Sequence, residues 1–343
     1  MLKQFLYFFF KYFFKIYTYG YFREVKIYGQ ENIPKKGGIL FSPNHQGAFL
    51  DPLLIGAFTP KTITSLTRAD VFNGPQRWLF DAFKMLPVYR IRNGYQNLKK
   101  NDLTFEKCFS LLGKGENILM FSEGGHHDEY YLQNLSKGSS RLVYQAQLKN
   151  PNQKIYLQPV GINYGHHKQP RCTLHLVFGQ PILVQDFIKT DQPEPQNINQ
   201  LKEKLADAMK VCLWLPENSD NYNKLKKGIN AHNTRLGFEE LKAKLRAEKE
   251  LAPPQAGPNK KLWGILLALP NLLPLWITRI IIHKFPDEVF VSSLKYAAGA
   301  FLFPLWWWLS TLAIHHYCGG LVALIYCVGS VGSLLFRQRI LLV

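Results

Sequence analysis

A histidine and an aspartate lie close together in the segment 43–52, PNHQGAFLDP, with five residues between His45 and Asp51. Histidine can accept a proton near neutrality, because its unperturbed pKa is about 6.5. A carboxylate bonded to its other ring nitrogen would fix the tautomer and stabilise the imidazolium. The pair therefore predicts general-base catalysis by His45, oriented by Asp51.

The same two positions have a purely structural interpretation. Asp51 followed by Pro52 is typical of a helix start, since Asp is a favoured N-cap and Pro a favoured first helical residue. His45 alone could be a core histidine. The sequence leaves the N-cap and the catalytic pairing open, and both can hold together.

A second segment, 121–128 or FSEGGHHD, follows a predicted strand. Gly124 and Gly125 would let the backbone approach a ligand closely. Glu123 stands at the strand end, where α/β sheets usually place ligand-binding groups, and Lys137 further on could contact a phosphate. The alternative is a tight turn with an exposed glutamate. The adjacent histidines lack the spacing of a metal site, so no metal is expected.

A third segment, 86–92 or LPVYRIR, places Arg90 and Arg92 on one face of an extended chain. Two guanidinium groups side by side suit a phosphate, although a solvated strand edge would show the same pattern. A fourth segment, 158–164, indicates a buried strand and carries no chemistry by itself.

Strands and helices must alternate to position these segments. Apolar runs predict strands at 38–42, 63–67, 117–122, 155–163 and 174–178, with helical patterns between them, for example at 75–84 and 98–114. This alternation favours an α/β fold, a mixed sheet flanked by helices.

Both ends of the chain are apolar. Residues 1–24 predict a membrane-interfacial helix, in which Lys3, Lys11 and Lys15 would snorkel from an otherwise aromatic surface; the alternative is a buried core helix. We expect a catalytic domain at 25–190 and a charged helical extension with a Pro-rich linker at 191–261.

Residues 262–343 are predicted to form a C-terminal membrane region of two or three apolar segments. The runs at 294–314 and 319–336 approach the roughly 20 residues that span a bilayer. The run at 262–282 contains Pro270, Pro274 and Arg279, which is typical of a kinked, re-entrant or interfacial segment. Basic residues on both flanks place the catalytic domain on the cytoplasmic face.

The formal net charge of +18 implies an anionic partner, such as a membrane surface or a phosphorylated substrate. No continuous basic face with aromatic residues is visible, so a nucleic-acid partner is not expected. The five cysteines are widely spaced and odd in number, which indicates neither a disulfide framework nor a zinc site.

Taken in order, the four segments resemble the glycerolipid acyltransferase family, the PlsC-like group of glycerol-3-phosphate and 1-acylglycerol-3-phosphate acyltransferases. The resemblance covers about 25–190. It rests on Asn44-His45 through Asp51, on Arg68-Ala69-Asp70 with Pro87-Val88-Tyr89-Arg90, on Phe121-Ser122-Glu123-Gly124-Gly125, and on Pro159-Val160-Gly161.

Two departures from the family pattern stand out. Five residues rather than four separate His45 from Asp51, which in an ideal helix rotates the aspartate by about 100°, so the loop must bulge. Glu-Gly-Gly-His replaces the common Glu-Gly-Thr-Arg. Both changes, and the C-terminal hydrophobic region, resemble the subgroup of yeast-type glycerol-3-phosphate and dihydroxyacetone-phosphate acyltransferases.

The resemblance implies a membrane-bound enzyme of phospholipid synthesis that moves a fatty acyl group from acyl-CoA or acyl-carrier protein to glycerol 3-phosphate or 1-acylglycerol 3-phosphate. It implies no cofactor and no metal. His45 and Asp51 would be catalytic, and the substrates would contact Arg68, Arg90, Glu123, Gly124, Gly125 and Lys137. Remodelling of another lysophospholipid and a catalytically degenerate membrane lipid-binding protein stay open as alternatives.

Overall fold

The computed structural model describes residues 1–74, 77–89, 101–166, 168–247 and 260–341. The strands in these ranges are β1 (Glu24–Tyr28), β2 (Gly38–Pro43), β3 (Ile63–Arg68), β4 (Met85–Val88), β5 (Asn117–Leu119), β6 (Ile155–Tyr164), β7 (Thr173–Phe178) and β8 (Ile182–Leu183). The helices are α1 (Leu2–Tyr21), α2 (Leu50–Phe58), α3 (Arg77–Ala82), α4 (Asn101–Gly113), α5 (Gly138–Lys149), α6 (Glu194–Val211), α7 (Tyr222–Lys227), α8 (Phe238–Arg246), α9 (Lys260–Leu266), α10 (Leu272–His283), α11 (Phe290–Ala297), α12 (Phe303–Cys318) and α13 (Gly320–Leu341).

The strands form one mixed sheet in the order β1-β7-β6-β2-β5-β3-β4, and β8 pairs with β6. Five neighbours, from β6 through β2, β5 and β3 to β4, run parallel. The pairings of β6 with β7 and β8 are antiparallel. The predicted mixed α/β sheet is therefore confirmed. Because parallel strands end at the same edge, the loops that follow β2, β3, β4 and β5 all leave from one edge of the sheet.

Helices cover both faces of the sheet, which explains why all six residues of β2 are buried. Ile39 and Phe41 pack with Leu54 of α2 on one face. Leu40 points the other way and packs with Leu142 of α5 and Leu201 of α6. This alternation follows from the two-residue period of a strand.

The core extends beyond residue 190, where the sequence analysis ended the catalytic domain. Apolar residues of α6 recur at helical spacing, and Leu201, Leu205 and Met209 are fully buried in the core that contains Leu40. Helix α6, Glu194–Val211, is thus packed against the sheet rather than set apart from it. The predicted Pro-rich linker, 252–258, lies outside the described residues.

Helix α1 buries one face against the domain and leaves an aromatic strip exposed. Phe14 and Tyr21 belong to the core, whereas Phe5, Phe9 and Tyr12 are each more than half exposed. Lys11 does not snorkel outward as expected: its ammonium donates to the carbonyls of Thr59 and Lys61, 2.7 and 2.8 Å away. The exposed strip suits a membrane interface, and that placement stays a prediction.

The C-terminal apolar region contains two helices that are long and apolar enough to be candidate membrane spans, Phe290–Cys318 and Gly320–Arg339. A π-helical turn, Ala298–Leu302, joins α11 to α12 within the first. The preceding run is interrupted, because α9 and α10 are separated by a 3₁₀ turn at Leu269–Asn271 that contains Pro270. This break agrees with the kink that its prolines predict.

Two tryptophans of α12 donate hydrogen bonds to oxygen acceptors in the 3₁₀ turn between α9 and α10. The indole N–H of Trp306 donates to the Pro270 carbonyl at 3.0 Å, and that of Trp307 donates to Asn271 Oδ1 at 2.8 Å. Unsatisfied acceptors are costly in an apolar environment, so these bonds stabilise the irregular turn beside the candidate spans.

Candidate active site

His45 and Asp51 meet directly at the edge where β2 ends. His45 Nδ1 lies 2.8 Å from Asp51 Oδ2, although the two residues are separated by the bulged loop. The Asp51 side chain is fully buried, and the His45 side chain is 13% exposed. The geometry is therefore that of a histidine oriented by a buried carboxylate, with one ring edge accessible.

Two further donors hold the Asp51 carboxylate. The Gly47 N–H donates to Oδ2 at 2.8 Å, and the Tyr164 hydroxyl, at the end of β6, donates to Oδ1 at 2.6 Å. Burial, together with the negative charge of Asp51, raises the pKa of Tyr164 well above its ordinary value, so the phenol stays protonated as a donor. These bonds offset much of the cost of burying the charge.

The extra loop residue is absorbed by a bulge, as the spacing required. Ala48 has φ of +44°, in the left-handed region that non-glycine residues rarely adopt. The Leu50 N–H then closes a turn onto the Gly47 carbonyl at 2.8 Å. Helix α2 begins at Leu50 with Phe49 as its N-cap, so Asp51 lies inside the first turn and not at the N-cap position that the sequence left open.

Gly47 leaves room for this arrangement. A Cβ at this position would lie 2.6 Å from Asp51 Oδ1 and 2.9 Å from the Tyr164 hydroxyl oxygen. Both distances are shorter than ordinary van der Waals contact, so a side chain here would displace the carboxylate or the phenol that orients it.

The imidazole of His45 stacks on Phe121, with ring centroids 3.8 Å apart and planes inclined by 19°. Its Nε2 makes no hydrogen bond to any part of the chain that the structure describes. One ring nitrogen is thus committed to Asp51, and the other is available to an incoming hydroxyl.

Glu123 supports the backbone of His45. One carboxylate oxygen accepts the His45 N–H at 2.8 Å, and the other accepts the Gln133 N–H at 3.0 Å and lies 3.2 Å from His127 Nε2. The side chain is only 1% exposed. The Glu123 side chain is therefore buried, unlike the exposed glutamate that the tight-turn alternative predicts. Its acceptor-binding role stays a prediction, because its oxygens face the protein.

The two histidines after the glycines have different surroundings. His127 donates its backbone N–H to the His45 carbonyl at 3.0 Å and braces the same loop. His126 places its ring 5.5 Å from that of His45, nearly perpendicular, and its Nε2 lies 2.7 Å from Asp287 Oδ2. Burial opposes ionisation of Asp287, but the hydrogen bonds from His126 and from the Val289 N–H, together with the charge of His126, lower the pKa of that carboxyl.

The backbone N–H groups of the two glycines in the turn have different surroundings. Gly124 adopts φ of +73°, and its N–H closes the turn onto the Phe121 carbonyl at 3.1 Å. The Gly125 N–H has no partner among the described residues, and a Cβ on Gly125 would meet open space. Gly125 is thus the better placed of the two to donate to an oxyanion.

The predicted cationic residues that the structure describes, Arg68 and Lys137, do not contact the His45–Asp51 pair. Arg68 ends β3, and its Nε donates to Asp70 Oδ1 at 3.0 Å. Lys137 is exposed just before α5, and Arg90 and Arg92 lie outside the described residues. Within the described part of the chain, neither Arg68 nor Lys137 makes a hydrogen bond or salt bridge to His45 or Asp51.

The C-terminal region also contributes to the site, which sequence reasoning missed. On α11, the Ser293 hydroxyl donates to the Gly47 carbonyl and accepts the Leu50 N–H at 3.0 Å. The Phe290 ring lies 5.3 Å from that of His126. Tyr164 was also missed: its position at a strand end was the only signal, since the segment reads as an ordinary buried strand.

The chain matches the family model described as Acyltransferase over residues 24–163. Among curated proteins it is similar to glycerol-3-phosphate O-acyltransferase 2 of Saccharomyces cerevisiae, with 27% identity over 153 residues, 43% of this chain and 20% of the yeast protein. It is also similar to glycerol-3-phosphate O-acyltransferase 1 of the same yeast, with 26% identity over 105 residues, 31% of this chain and 14% of that protein.

The matched segments thus span a fifth or less of these curated relatives. Among solved structures, the 1-acyl-sn-glycerophosphate acyltransferase PlsC of Thermotoga maritima overlaps 58% of this chain and 77% of its own, with 18% identity and a TM-score of 0.40. The family match begins at β1 and ends just before Tyr164, and it includes His45, Asp51 and Glu123. Residues 24–163, about two fifths of the chain, thus match the acyltransferase family and are similar to glycerolipid acyltransferases of the PlsC-like type.

Proposed function

We propose that this protein transfers a fatty acyl group from a thioester, acyl-CoA or acyl-carrier protein, to a hydroxyl of glycerol 3-phosphate or 1-acylglycerol 3-phosphate. The observation that carries the proposal is the His45 Nδ1–Asp51 Oδ2 contact of 2.8 Å at a buried carboxylate. The names of the two yeast relatives, both glycerol-3-phosphate O-acyltransferases, support the choice of acceptor class.

In the proposed reaction, His45 Nε2 takes the proton of the acceptor hydroxyl while that oxygen attacks the thioester carbonyl. Asp51 keeps the Nδ1 proton in place and stabilises the imidazolium. Collapse of the tetrahedral intermediate breaks the carbon–sulfur bond, and the imidazolium returns its proton to the departing thiolate. No covalent acyl-enzyme forms, and the step needs no cofactor.

The oxyanion of the intermediate would accept a hydrogen bond from the Gly125 N–H, which has no partner among the described residues. The acceptor phosphate would be bound by Arg68, Arg90 and Lys137. Arg68 Nε now donates to Asp70 Oδ1 at 3.0 Å. To bind the phosphate, Arg68 would give up this hydrogen bond and donate to the phosphate oxygens instead.

We further propose that the enzyme works at a membrane, with the catalytic domain on the cytoplasmic face. The two candidate spans and the exposed aromatic strip of α1 support this location. The basic residues that flank the apolar region support the orientation by the positive-inside rule. A location at the membrane surface would place the site next to acceptors and products that are themselves lipids.

The decisive experiment measures acyl transfer from radiolabelled acyl-CoA by membranes that contain wild type, His45→Ala or a control, His232→Ala. His232 is exposed and remote from the pair in the described contacts. We expect His45→Ala to lose on the order of 10²–10⁴ in rate, since that is what general-base catalysis typically contributes. Equal activity of His45→Ala and wild type would overturn the proposed mechanism.

The acceptor is tested by offering glycerol 3-phosphate, dihydroxyacetone phosphate and 1-acylglycerol 3-phosphate in parallel. We expect the highest kcat/KM with a phosphorylated glycerol acceptor. Preference for a lysophospholipid with a larger headgroup would assign the chain to remodelling instead. The absence of transfer to any acceptor, by a folded chain with both acyl donors, would support the degenerate lipid-binding alternative.

A further inference from the structure

A cavity lies away from His45, among the C-terminal helices. Its volume is about 510 Å³, within the range of roughly 300–1,000 Å³ typical of ligand pockets. Its walls come from the end of α1 and from α10, α11, α12 and α13. Much of the lining is apolar and includes Leu275, Ile282, Phe303, Trp307 and Leu334.

Three cationic side chains face the same cavity: Arg279 of α10, Lys295 of α11 and Arg337 of α13. Arg337 donates its Nε to the Gly264 carbonyl at 2.9 Å, and Lys295 donates to the Lys168 carbonyl at 2.8 Å. Both acceptors are neutral, and neither cation forms a salt bridge with an acidic residue in the described part of the chain. Arg279 forms no salt bridge within the described ranges.

Acidic residues are missing from this lining. None of the described residues that line the cavity is Asp or Glu. Glu288 lines an adjoining depression, but Lys168 already binds it at 2.5 Å. The cavity therefore combines an apolar wall with three positive charges. Packing between helices does not require this combination, whereas an amphipathic anionic ligand does.

The cations lie at one end of the candidate membrane spans. Lys295 is near the start of Phe290–Cys318, and Arg337 is near the end of Gly320–Arg339. Because α12 and α13 pack as a hairpin, these two ends are adjacent. Basic pockets between membrane helices at the interface are suited to anionic lipid headgroups.

We propose that this cavity binds one anionic glycerophospholipid. Its phosphate would lie against Arg279, Lys295 and Arg337, and an acyl chain would follow the apolar wall past Phe303 and Leu334. A soluble phosphate would use the charges but leave this wall exposed. The site is separate from the reacting pair, because Lys295 faces the cavity while Ser293 of the same helix contacts the His45 loop.

The test uses the purified full-length chain in detergent and counts bound lipids by native mass spectrometry. Phosphatidylglycerol is the anionic probe, and phosphatidylcholine is the zwitterionic comparison. The wild type should retain one phosphatidylglycerol in preference to phosphatidylcholine. Arg279→Gln/Arg337→Gln should weaken retention about tenfold or more, because each basic residue near a lipid surface contributes to its affinity.

The matched control is Lys284→Gln, which removes a charge at the end of the same helix α10 but outside the cavity lining. It should retain phosphatidylglycerol as wild type does. If the double variant fails to fold, Arg279→Gln is compared with Arg279→Lys, and only the former should lose lipid.

Three results would overturn the proposal. The first is equal retention of both lipids by wild type. The second is full retention by a folded Arg279→Gln/Arg337→Gln variant. The third is displacement of phosphatidylglycerol by excess inorganic phosphate alone, which would show that the wall does not contribute. None of these readouts depends on acyl transfer, so they are independent of the proposed activity.

Discussion

The backbone N–H of Leu50 donates to the Ser293 hydroxyl oxygen at 3.0 Å, across 243 residues of sequence. The same hydroxyl donates to the Gly47 carbonyl. Gly47 and Leu50 bracket the bulge that brings Asp51 to His45. The first candidate membrane span thus begins with a helix that holds the proposed catalytic loop, and the two regions form one site.

Ser293→Ala should therefore lower kcat by about tenfold. The change removes the hydroxyl that bridges the Gly47 carbonyl and the Leu50 N–H, which then keep only their mutual 2.8 Å bond. A single intramolecular hydrogen bond typically contributes about 0.5–1.5 kcal/mol, which corresponds to the expected loss. The measurement is steady-state acyl transfer together with thermal unfolding. Ser292→Ala is the control, because Ser292 is equally buried but, among the described residues, its hydroxyl hydrogen-bonds only to the Val289 carbonyl of its own segment. Equal losses of kcat in both variants would indicate a general effect of the helix.

Tyr164→Phe should reduce kcat by roughly tenfold to a hundredfold while preserving the ring packing. It deletes the 2.6 Å hydrogen bond to Asp51 Oδ1 and leaves a buried carboxylate short of a donor. Tyr144→Phe serves as the control. Tyr144 is also buried, and the change deletes the hydrogen bond that its hydroxyl accepts from Asn197 Nδ2 at 3.2 Å, but Tyr144 is remote from the pair. Unchanged kcat in Tyr164→Phe would mean that Gly47 and His45 suffice to hold Asp51.

Gly47→Ala should abolish most activity, because the new Cβ would lie 2.6 Å from Asp51 Oδ1. The carboxylate would have to move, and with it the His45 ring. Gly56→Ala, in helix α2, meets its nearest neighbour at 3.7 Å and should keep activity. It should also raise stability by up to about 1 kcal/mol, since alanine is the better helix former. Full activity of Gly47→Ala would contradict the tight packing of this loop.

His175 should make folding stability depend on pH. Burial, aided by the nearby charge of Lys26, lowers the pKa of His175 from 6.5 to about 3. Below about pH 6.5 the unfolded chain takes up a proton that the folded chain refuses. The contribution of His175 to the free energy of unfolding is therefore fully present above pH 6.5. It falls as the pH drops towards 3, by at most about 1.4 kcal/mol per pH unit.

The check is thermal unfolding of wild type and His175→Gln between pH 7 and pH 4, with the exposed residue His232→Gln as control. Other groups also titrate in this range, so the difference in slope is the quantity to compare. We expect a shallower loss of Tm with acid in His175→Gln and an unchanged slope in the control. Parallel slopes in all three would show that His175 is protonated without cost.

The sequence by itself determined the local parts of the site. His45 and Asp51 are near neighbours, so their pairing could be inferred from residue types and spacing, and the fifth intervening residue already required a bulge. Strand and helix periodicity predicted the alternating elements and hence the sheet edge at which β2 and β5 end. These features depend on short stretches of chain, whose residues specify them directly.

Only the tertiary structure decided which distant groups complete the site. Tyr164, Glu123 and Ser293 reach the His45 loop from β6, from the turn after β5 and from α11. A polar residue at a strand end does not reveal whether it faces a ligand or the protein. The acceptor-binding role of Glu123 stays a prediction, whereas its contact with the His45 backbone became visible only in the fold. Such contacts depend on the order of the strands and on where the helices pack. The local sequence pattern does not determine either, because many distant segments share the same apolar periodicity.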